Sequence, residues 1–161
     1  MHVEFVDGSR EFVQIDDVEI IFRHFSGEAD DFHRAGERDF TLVIKDKEIA
    51  EAFIDKGYNV TYKENYEEWR LKVKLGFKVD APNIYLVTNR RTTALDEESV
   101  ACLDNVEIQR VDLDIRPYDW GPINGKSGRT AYVKNLRVEQ VVDRFAAELA
   151  EEEHPEDDIP F

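Results

Sequence analysis

Hydrophobic and polar residues alternate with a period of two along several segments of this chain, a pattern typical of β-strands. The clearest segment is WRLKVKLGFKV at residues 69–79. One face of this segment carries the hydrophobic side chains of Leu71, Val73, Leu75, Phe77 and Val79. The opposite face carries four cations, Arg70, Lys72, Lys74 and Lys78. Similar patterns predict further strands at residues 18–25, 39–44, 59–63, 83–88, 106–118 and 130–138.

Helical signals are fewer. Asp46 is a suitable N-cap for a short helix at 47–56, which Gly57 would end. Asp96 is predicted to cap a second short helix at 97–103, and the amphipathic segment 139–153 predicts a C-terminal helix. Strands and helices do not alternate regularly, which argues against a βαβ fold. We therefore predict a mainly β (α+β) domain, an OB-like β-barrel with extra strands, one or two short helices and a C-terminal helix.

Two stretches between the strands are predicted to be long loops. The segment 26–38 is polar and contains two glycines, and the segment 117–128 is rich in aromatic residues and glycine. Loops of this length inside a compact domain are usually functional or disordered. Both are therefore candidates for a binding site.

The composition indicates a globular domain, since 42% of the residues are hydrophobic and 11% are aromatic. Cys102 is the single cysteine, so a disulfide framework is excluded and a reducing compartment is favoured. No apolar run approaches the roughly 18 residues of a membrane span, and the N-terminus lacks the features of a signal peptide. We expect one domain at 1–147, a disordered acidic tail at 148–161 and a cytoplasmic location.

The charge is strongly negative and unevenly distributed. The chain has a formal net charge of −15, and residues 148–161 contain seven acidic residues and no lysine or arginine. The remaining residues still carry 21 basic against 29 acidic side chains, a net charge of −8. An acidic domain is not the usual composition of a nucleic-acid-binding protein. Any such function therefore depends on local clusters of basic residues.

The four cations of strand 69–79 form such a cluster. Arg70, Lys72, Lys74 and Lys78 would contact successive phosphates of a nucleic acid, with an affinity that falls as salt rises. The alternative is an ordinary solvated strand face, on which charges protect an edge strand from aggregation.

Aromatic residues occur among cations in and beside the two predicted loops. Single-stranded nucleic acid needs this combination, because bases stack on aromatic rings while cations contact phosphates. The candidates near the first loop are Phe25, Phe32, His33, Arg34 and Arg38. Those in and after the second loop are Tyr118, Trp120, Lys126, Arg129, Tyr132 and Lys134. The alternative is that Tyr118 and Trp120 fill the core.

Signals for catalysis are weak. Asp112 and Asp114 would lie on one strand face and could hold Mg²⁺ in a nuclease, but a solvated face or ion pairs with Arg110 and Arg116 are the favoured interpretation. NGKSG (124–128) lacks the first glycine of a phosphate-binding loop and precedes a strand rather than a helix. The four histidines and Cys102 show no zinc-binding spacing. We predict no enzyme, no cofactor and no metal.

The C-terminus ends in a segment with the chemistry of a docking peptide, Asp157, Asp158, Ile159, Pro160 and Phe161. Proline stiffens the peptide, so less entropy is lost when it docks. Phe161 would fill a hydrophobic pocket of a partner, and the two aspartates would meet a basic rim. The alternative is an acidic end that only raises solubility.

The tail DDIPF resembles the C-terminal peptide of bacterial single-stranded DNA-binding proteins, whose acidic tip recruits replication, recombination and repair proteins. The body is similar to a group of phage-encoded single-stranded DNA-binding proteins over most of residues 18–140. The similar spans are FRHFSGEADDFHRAGERDFTLVI, DKGYNVTY and VDLDIRPYDWGPINGKSGRTAYVKNLRV. This resemblance implies an OB-like fold and a role in phage or prophage replication in a bacterial host. It does not identify the DNA contacts, which we predict from charge and aromatic pattern.

Three hypotheses follow. The leading one is a non-enzymatic single-stranded DNA-binding protein that recruits partner enzymes through its tail. The second is an acidic decoy that mimics DNA or the host tail peptide without binding DNA; the cationic face of 69–79 argues against it. The third is a Mg²⁺-dependent nuclease that uses Asp112 and Asp114. A homo-oligomer is compatible with all three.

Overall fold

The computed structural model describes residues 1–142, and this part of the chain is mainly β. The strands are β1 (His2–Val6), β2 (Phe12–Asp16), β3 (Glu19–His24), β4 (Arg38–Ile44), β5 (Thr61–Lys63), β6 (Glu68–Leu75), β7 (Asn83–Thr88), β8 (Arg91–Leu95), β9 (Ile108–Ile123) and β10 (Lys126–Gln140). The helical elements among these residues are α1 (Lys47–Asp55) and two 3₁₀ turns, Glu64–Tyr66 and Val100–Asp104. None of the helices in this part of the chain is long and apolar enough to cross a membrane.

The helix predicted after Asp46 is confirmed. The Asp46 carboxylate accepts hydrogen bonds from the backbone N–H groups of Glu48 and Ile49, at 2.8 and 3.3 Å. The Asp96 carboxylate accepts hydrogen bonds from the backbone N–H groups of Glu98 and Ser99, but the helix predicted at 97–103 is only the 3₁₀ turn Val100–Asp104, and its N-cap is Ser99. Most of the helix predicted at 139–153 and the whole tail lie outside the described residues. Glu139 and Gln140, its first two positions, belong to β10.

All seven predicted strands are present, but the chain also forms β1, β2 and β8, which we did not predict. β8 pairs with β7 through a two-residue turn, Asn89–Arg90, in which both residues have positive φ. Such turns match the twist of a hairpin, but they usually contain glycine. Because this turn lacks glycine, β8 gives little signal in the sequence.

The prediction of an aromatic loop at 117–128 is wrong. β9 continues to Ile123 and β10 begins at Lys126, so most of this segment is a paired β-hairpin. Its turn is Asn124–Gly125, with φ values of 50° and 77°. Asn-Gly is the strongest short-range sequence signal for a β-hairpin, and here this turn joins β9 and β10 so that the two strands are paired up to the turn itself.

The strands form one mixed sheet in the order β1-β2-β9-β10-β6-β4-β3. β10 pairs antiparallel with β9 along most of its length. On its other edge it pairs parallel with two strands, first with β6 at Ala131 and Tyr132, then with β7 from Asn135 to Glu139. β10 therefore connects the β6–β4–β3 part of the sheet to the β7–β8 hairpin.

The core decides which face of β6 is exposed. Leu71, Val73 and Leu75 are buried, and they pack among core residues such as Phe40 and Ile115. The alternating cations must therefore lie on the opposite, outer face. The alternation ends sooner than predicted, because β6 stops at Leu75, and Lys78 and Val79 lie exposed beyond its end.

Candidate nucleic-acid interface

Strand register brings the outer face of β6 next to an aromatic residue of β10. Tyr132 pairs with Lys74, and their neighbours Ala131 and Val73 are both buried. Tyr132 and Lys74 therefore share the outer face. On the other side of β10, Tyr132 pairs with Arg116 of β9, whose guanidinium lies 5.3 Å from the centre of the Tyr132 ring.

Tyr118 extends this surface along β9. Its ring makes an edge contact with the ring of Tyr132, with centroids 6.0 Å apart, and 54% of the residue is exposed. We call the continuous outer surface formed by six residues the β6–β10 strip: Arg70, Lys72, Lys74, Arg116, Tyr118 and Tyr132. It combines cations with exposed rings on adjacent strands.

At one end of the strip, Arg70 lies between two exposed rings. Its guanidinium carbon is 5.3 Å from the ring centre of Phe22 and 4.9 Å from that of Tyr66. These two aromatic residues are 67% and 64% exposed. The buried carboxylate of Glu68 accepts a 2.8 Å hydrogen bond from Nε of Arg70 and holds it in place. The Arg70 side chain is only 16% exposed, so the two rings on either side of it are the groups presented to solvent for stacking with bases.

Lys72 and Lys74 occupy the middle of the strip. Nζ of the exposed Lys72 lies 3.4 Å from the buried carboxylate of Asp39 on β4. Lys74 pairs across the sheet with the same Asp39. Lys72 is exposed and Lys74 is half-buried on this outer face, so Lys72 is the more accessible of the two to a phosphate group.

A groove of about 540 Å³ lies at the other end of the strip. Phe77, Lys78, Tyr118 and Tyr132 line it, and Arg38 stacks on Phe77 at 5.3 Å. Part of the Arg38 guanidinium is engaged within the fold, because its Nε donates a hydrogen bond to the carbonyl oxygen of Phe25 at 3.0 Å. The groove can accept a planar group, with aromatic walls and cations at its edge.

Arg116 lines this groove and was not predicted as a binding residue. Its Nη2 approaches the carbonyl oxygen of Val79 at 3.5 Å, and its buried Nε has no hydrogen-bond partner among residues 1–142. A second groove, of about 510 Å³, lies on its other side and is also lined by Arg10 and Lys134. The Lys134 ammonium sits 3.8 Å from the centre of the Phe12 ring. Arg116 therefore connects two grooves that carry cations.

Four predicted site residues make contacts within the fold. Phe25 is fully buried and stacks on Phe40, so in this fold it is a core residue and cannot stack on a base. Trp120 covers Gly128, where a Cβ atom would come within 2.5 Å of the indole ring. His33 lies between the carboxylates of Asp30 and Asp39. Arg129, discussed next, is a structural residue.

Arg129 uses its whole guanidinium within the fold. It donates to both oxygens of Asp119, to both oxygens of Glu11 and to the carbonyl oxygen of Lys56, at 2.7 to 3.2 Å. The hydrogen bonds that Arg129 donates to Asp119 and Glu11 outweigh desolvation and raise the pKa of Arg129. The same contact lowers the pKa of Asp119. The guanidinium of Arg129 is therefore occupied by contacts within the fold, and its predicted phosphate contact stays a prediction.

The remaining predicted residues lie at the edges. Phe32 is 89% exposed on the loop 26–38, next to the exposed Arg34. Lys126 is exposed beside the turn of the β9–β10 hairpin. The strip and these edges contain most of the predicted cations. Sequence reasoning missed Phe22, Tyr66, Phe77 and Arg116, because their neighbours on the surface come from distant segments.

Asp112 and Asp114 make contacts within the fold. Asp112 pairs with Arg110, as the favoured interpretation held, and with Arg137 rather than Arg116. Asp112 accepts hydrogen bonds from the backbone N–H of Asp17 and from the guanidinium groups of Arg110 and Arg137. Burial raises its pKa, but these donors outweigh burial and hold the pKa below its usual value. Asp114 accepts from the side-chain amide of Asn135 at 2.9 Å.

Comparison with known proteins identifies the family. A sequence model of the phage ssDNA-binding domain matches residues 5–159, nearly the whole chain. The chain belongs to the phage ssDNA-binding domain family. No curated protein matches the sequence.

Solved structures of a phage single-stranded DNA-binding protein have a fold similar to that of this chain. The single-stranded DNA-binding protein from bacteriophage Enc34, truncated at its C-terminus, has a TM-score of 0.55 and 9% identity, covering 89% of this chain and 97% of its own. The same bacteriophage protein in complex with ssDNA also gives 0.55, with 10% identity, covering 89% of this chain and 98% of its own. At such low identity the likeness concerns the fold.

Proposed function

We propose that this protein binds single-stranded DNA with little sequence preference and is not an enzyme. The observation that carries the proposal is the β6–β10 strip, in which Tyr132 and Tyr118 lie beside Lys74 and Arg116 on one outer face. Membership of the phage ssDNA-binding domain family supports it. A protein of similar fold, from bacteriophage Enc34, has been solved with ssDNA bound.

The chemistry of the strip suits a flexible single strand. Bases would stack on the exposed rings of Tyr118, Phe22 and Tyr66 and on the half-buried ring of Tyr132, each contact contributing about 1–3 kcal/mol. Phosphates would pair with Lys72, Lys74 and Lys78, and each neutralised phosphate of a single strand steepens the salt dependence of log K by about 0.7. A duplex hides the faces of its bases, so it would gain only the phosphate contacts.

The negative charge of the rest of the domain fits this selectivity. With a net charge of −8 outside the tail, most of the surface repels DNA, and binding is confined to the local cationic strip. This distribution would disfavour general attraction to duplex DNA. The preference for single-stranded over duplex DNA would then depend on the stacking contacts.

We assign the domain, residues 1–147, to the OB-like β-barrel class with added strands. The mixed sheet supports this assignment, because β10 pairs antiparallel with β9 and parallel with β6. The likeness to the Enc34 protein agrees with it at the level of the fold. The function would be exercised in phage or prophage replication or recombination, in the cytoplasm of a bacterial host.

A charge reversal tests whether the strip binds DNA. In the variant Lys72→Glu/Lys74→Glu we expect affinity for a labelled oligo-dT strand to fall about tenfold or more, because two phosphate contacts become repulsive. Lys47→Glu, on the exposed side of α1, is the matched control and should bind as the wild type does. Equal binding by the double variant and the control would contradict the proposal and favour an acidic decoy.

We propose further that Asp157, Asp158, Ile159, Pro160 and Phe161 recruit host or phage replication, recombination and repair proteins. The acidic tail 148–161 would also compete with DNA for the strip, an inhibition that salt weakens. Deletion of 157–161 should leave ssDNA affinity equal or higher. The full chain, but not the truncated chain, should displace a labelled bacterial tail peptide from a host repair protein that binds it. Loss of DNA binding on deletion would contradict this division of roles.

A further inference from the structure

Two histidines and an aspartate meet beside the strip, although they are spread over residues 24–33. His24 ends β3, and Asp30 and His33 lie in the loop 26–38. Nδ1 of His33 is 2.9 Å from Oδ1 of Asp30, and Nδ1 of His24 is 3.5 Å from Oδ2 of the same carboxylate. The three side chains each offer one ligand atom, and these atoms lie within 4.8 Å of one another.

The opposite ring nitrogens are both held by acceptors. Nε2 of His24 lies 2.9 Å from the carbonyl oxygen of Glu28. Nε2 of His33 lies 3.0 and 3.1 Å from the two carboxylate oxygens of Asp39, which is buried. An acceptor at Nε2 fixes the proton there in the neutral ring and leaves the Nδ1 lone pair facing Asp30. Metal-binding histidines characteristically donate their other ring N–H to a carbonyl or carboxylate in this way.

Contacts within the loop bring the three side chains of the cluster together. The Asp30 carboxylate accepts hydrogen bonds from the backbone N–H groups of Phe32 and His33, at 2.8 and 2.7 Å. The two imidazole rings stack with centroids 3.8 Å apart and planes 9° apart. The histidine side chains are only 13% and 14% exposed, whereas that of Asp30 is 42% exposed. One side of the cluster is therefore packed and the other opens to solvent.

We propose that His24 Nδ1, His33 Nδ1 and the Asp30 carboxylate form a binding site for a divalent transition-metal ion of the zinc type, with water as the fourth ligand. Zinc binds imidazole nitrogen and carboxylate oxygen at about 2.0–2.2 Å, usually with four ligands. A tetrahedral ion needs its ligand atoms about 3.3–3.6 Å apart, and because the two rings are stacked nearly parallel, they would have to rotate until both Nδ1 lone pairs point at the ion. Two imidazoles among three ligands favour zinc over Mg²⁺ or Ca²⁺, which prefer oxygen ligands.

The ion would tie the loop 26–38 to the sheet at the edge of the strip. His33 contacts Asp39, and the same Asp39 carboxylate lies 3.4 Å from Nζ of Lys72. The loop carries Phe32, which is 89% exposed. Metal binding would hold the loop that carries this ring at the edge of the strip. The ion would need the lone pairs of both Nδ1 atoms, so metal and proton compete for them.

Cobalt titration of the untagged full chain tests the site. After chelator treatment and dialysis, Co²⁺ should bind with a stoichiometry of one and give the visible absorption of a four-coordinate ion, and Zn²⁺ should displace it. His24→Asn and Asp30→Asn should abolish this signal. His2→Asn, in β1 and outside the cluster, is the matched control and should keep it.

Asp39→Asn separates a ligand from a positioning residue. The amide oxygen can still accept from Nε2 of His33 but lacks charge, so we expect metal affinity to fall about 10–100-fold without loss of stoichiometry. Circular dichroism of each metal-free variant checks that it is folded, and the half-exposed Asp30 provides a variant that tolerates substitution. The proposal is overturned if the folded wild type takes up no Co²⁺ saturably, which leaves a proton as the occupant. Uptake that is unchanged in both His24→Asn and Asp30→Asn would overturn it equally.

Discussion

Tyr132 of β10 lies directly beside Lys74 of β6, where these two strands run parallel for two residue pairs. This short contact sets the candidate site, because Ala131 and Val73 point into the core and turn the ring and the ammonium outward together. Tyr132 also lies over Gly76, where an added Cβ atom would sit 3.4 Å from the ring. Residues from β6, β9 and β10 thus build one surface from three segments of the chain.

Removing the ring of Tyr132 should weaken DNA binding. Tyr132→Ala loses a stacking surface of about 1–3 kcal/mol, which corresponds to roughly 5–150-fold in affinity, whereas Tyr132→Phe keeps the ring and should bind nearly as the wild type does. Fluorescence anisotropy with a labelled oligo-dT strand measures both. Tyr85→Ala, on β7, removes an exposed ring outside the strip and serves as control. Equal losses in Tyr132→Ala and Tyr85→Ala would argue against stacking at this position.

Lysine and arginine positions of the strip should differ in their salt dependence. Lys72→Gln and Lys74→Gln should each reduce the slope of log K against log salt by about 0.7, since each removes one phosphate contact. Arg70→Lys keeps the charge but loses the flat guanidinium between Phe22 and Tyr66, so affinity should fall while the slope stays unchanged. Titrations at four salt concentrations measure the slopes. A slope that changes in Arg70→Lys but not in the lysine variants would contradict these roles.

Arg129 should matter for stability and not for DNA affinity. It joins Asp119 of β9, Glu11 and the carbonyl oxygen of Lys56, which follows α1. Arg129→Ala should lower the free energy of unfolding by about 1–3 kcal/mol, because hydrogen bonds to charged groups are lost. Urea denaturation measures this change, and the exposed Arg34→Ala is the control. If Arg129→Ala kept full stability but lost DNA binding, Arg129 would be a phosphate contact after all.

Asp112 should contribute stability that depends on pH. Its pKa is lowered in the folded chain, so its contribution is present above about pH 3.9, the usual aspartate value, and is lost as pH falls through the folded pKa. Asp112→Asn should therefore lower the urea midpoint clearly at pH 7 and much less near pH 3. An equal fall in the urea midpoint of Asp112→Asn at both pH values would show that the charge of Asp112 does not stabilise the fold.

The local elements of this fold were readable from the sequence, because local signals decide them. The Asp46 cap and the alternation of β6 are examples, and both are confirmed. The face of β3 was not readable. A register shift between Ile21 and His24, with a φ of 53° at Phe22, breaks the alternation, so that Phe22 is exposed and Phe25 is buried. The two phenylalanines look alike in the sequence, which led us to predict the buried Phe25, and not the exposed Phe22, as a binding residue.

The composition of 117–128 was misleading for a related reason. Glycine, proline and tryptophan in this segment are typical of a loop, yet the long partner strand keeps it paired. His24, Asp30 and His33 were missed because their spacing fits no zinc motif. They meet only because the loop folds back, with the N–H of Gly36 donating to the carbonyl oxygen of Gly27 at 2.7 Å. Sites that depend on such tertiary contacts leave no periodic signal.

The central claim is that the strip prefers a single strand, and its most direct test is fluorescence anisotropy of the wild-type chain. A labelled oligo-dT strand and a duplex of the same length are titrated at two salt concentrations. We predict tight binding to the single strand, much weaker binding to the duplex, and a fall in affinity as salt rises. Absence of binding to the single strand at low salt would contradict the account, and equal binding to both forms would show that stacking on the exposed rings does not contribute.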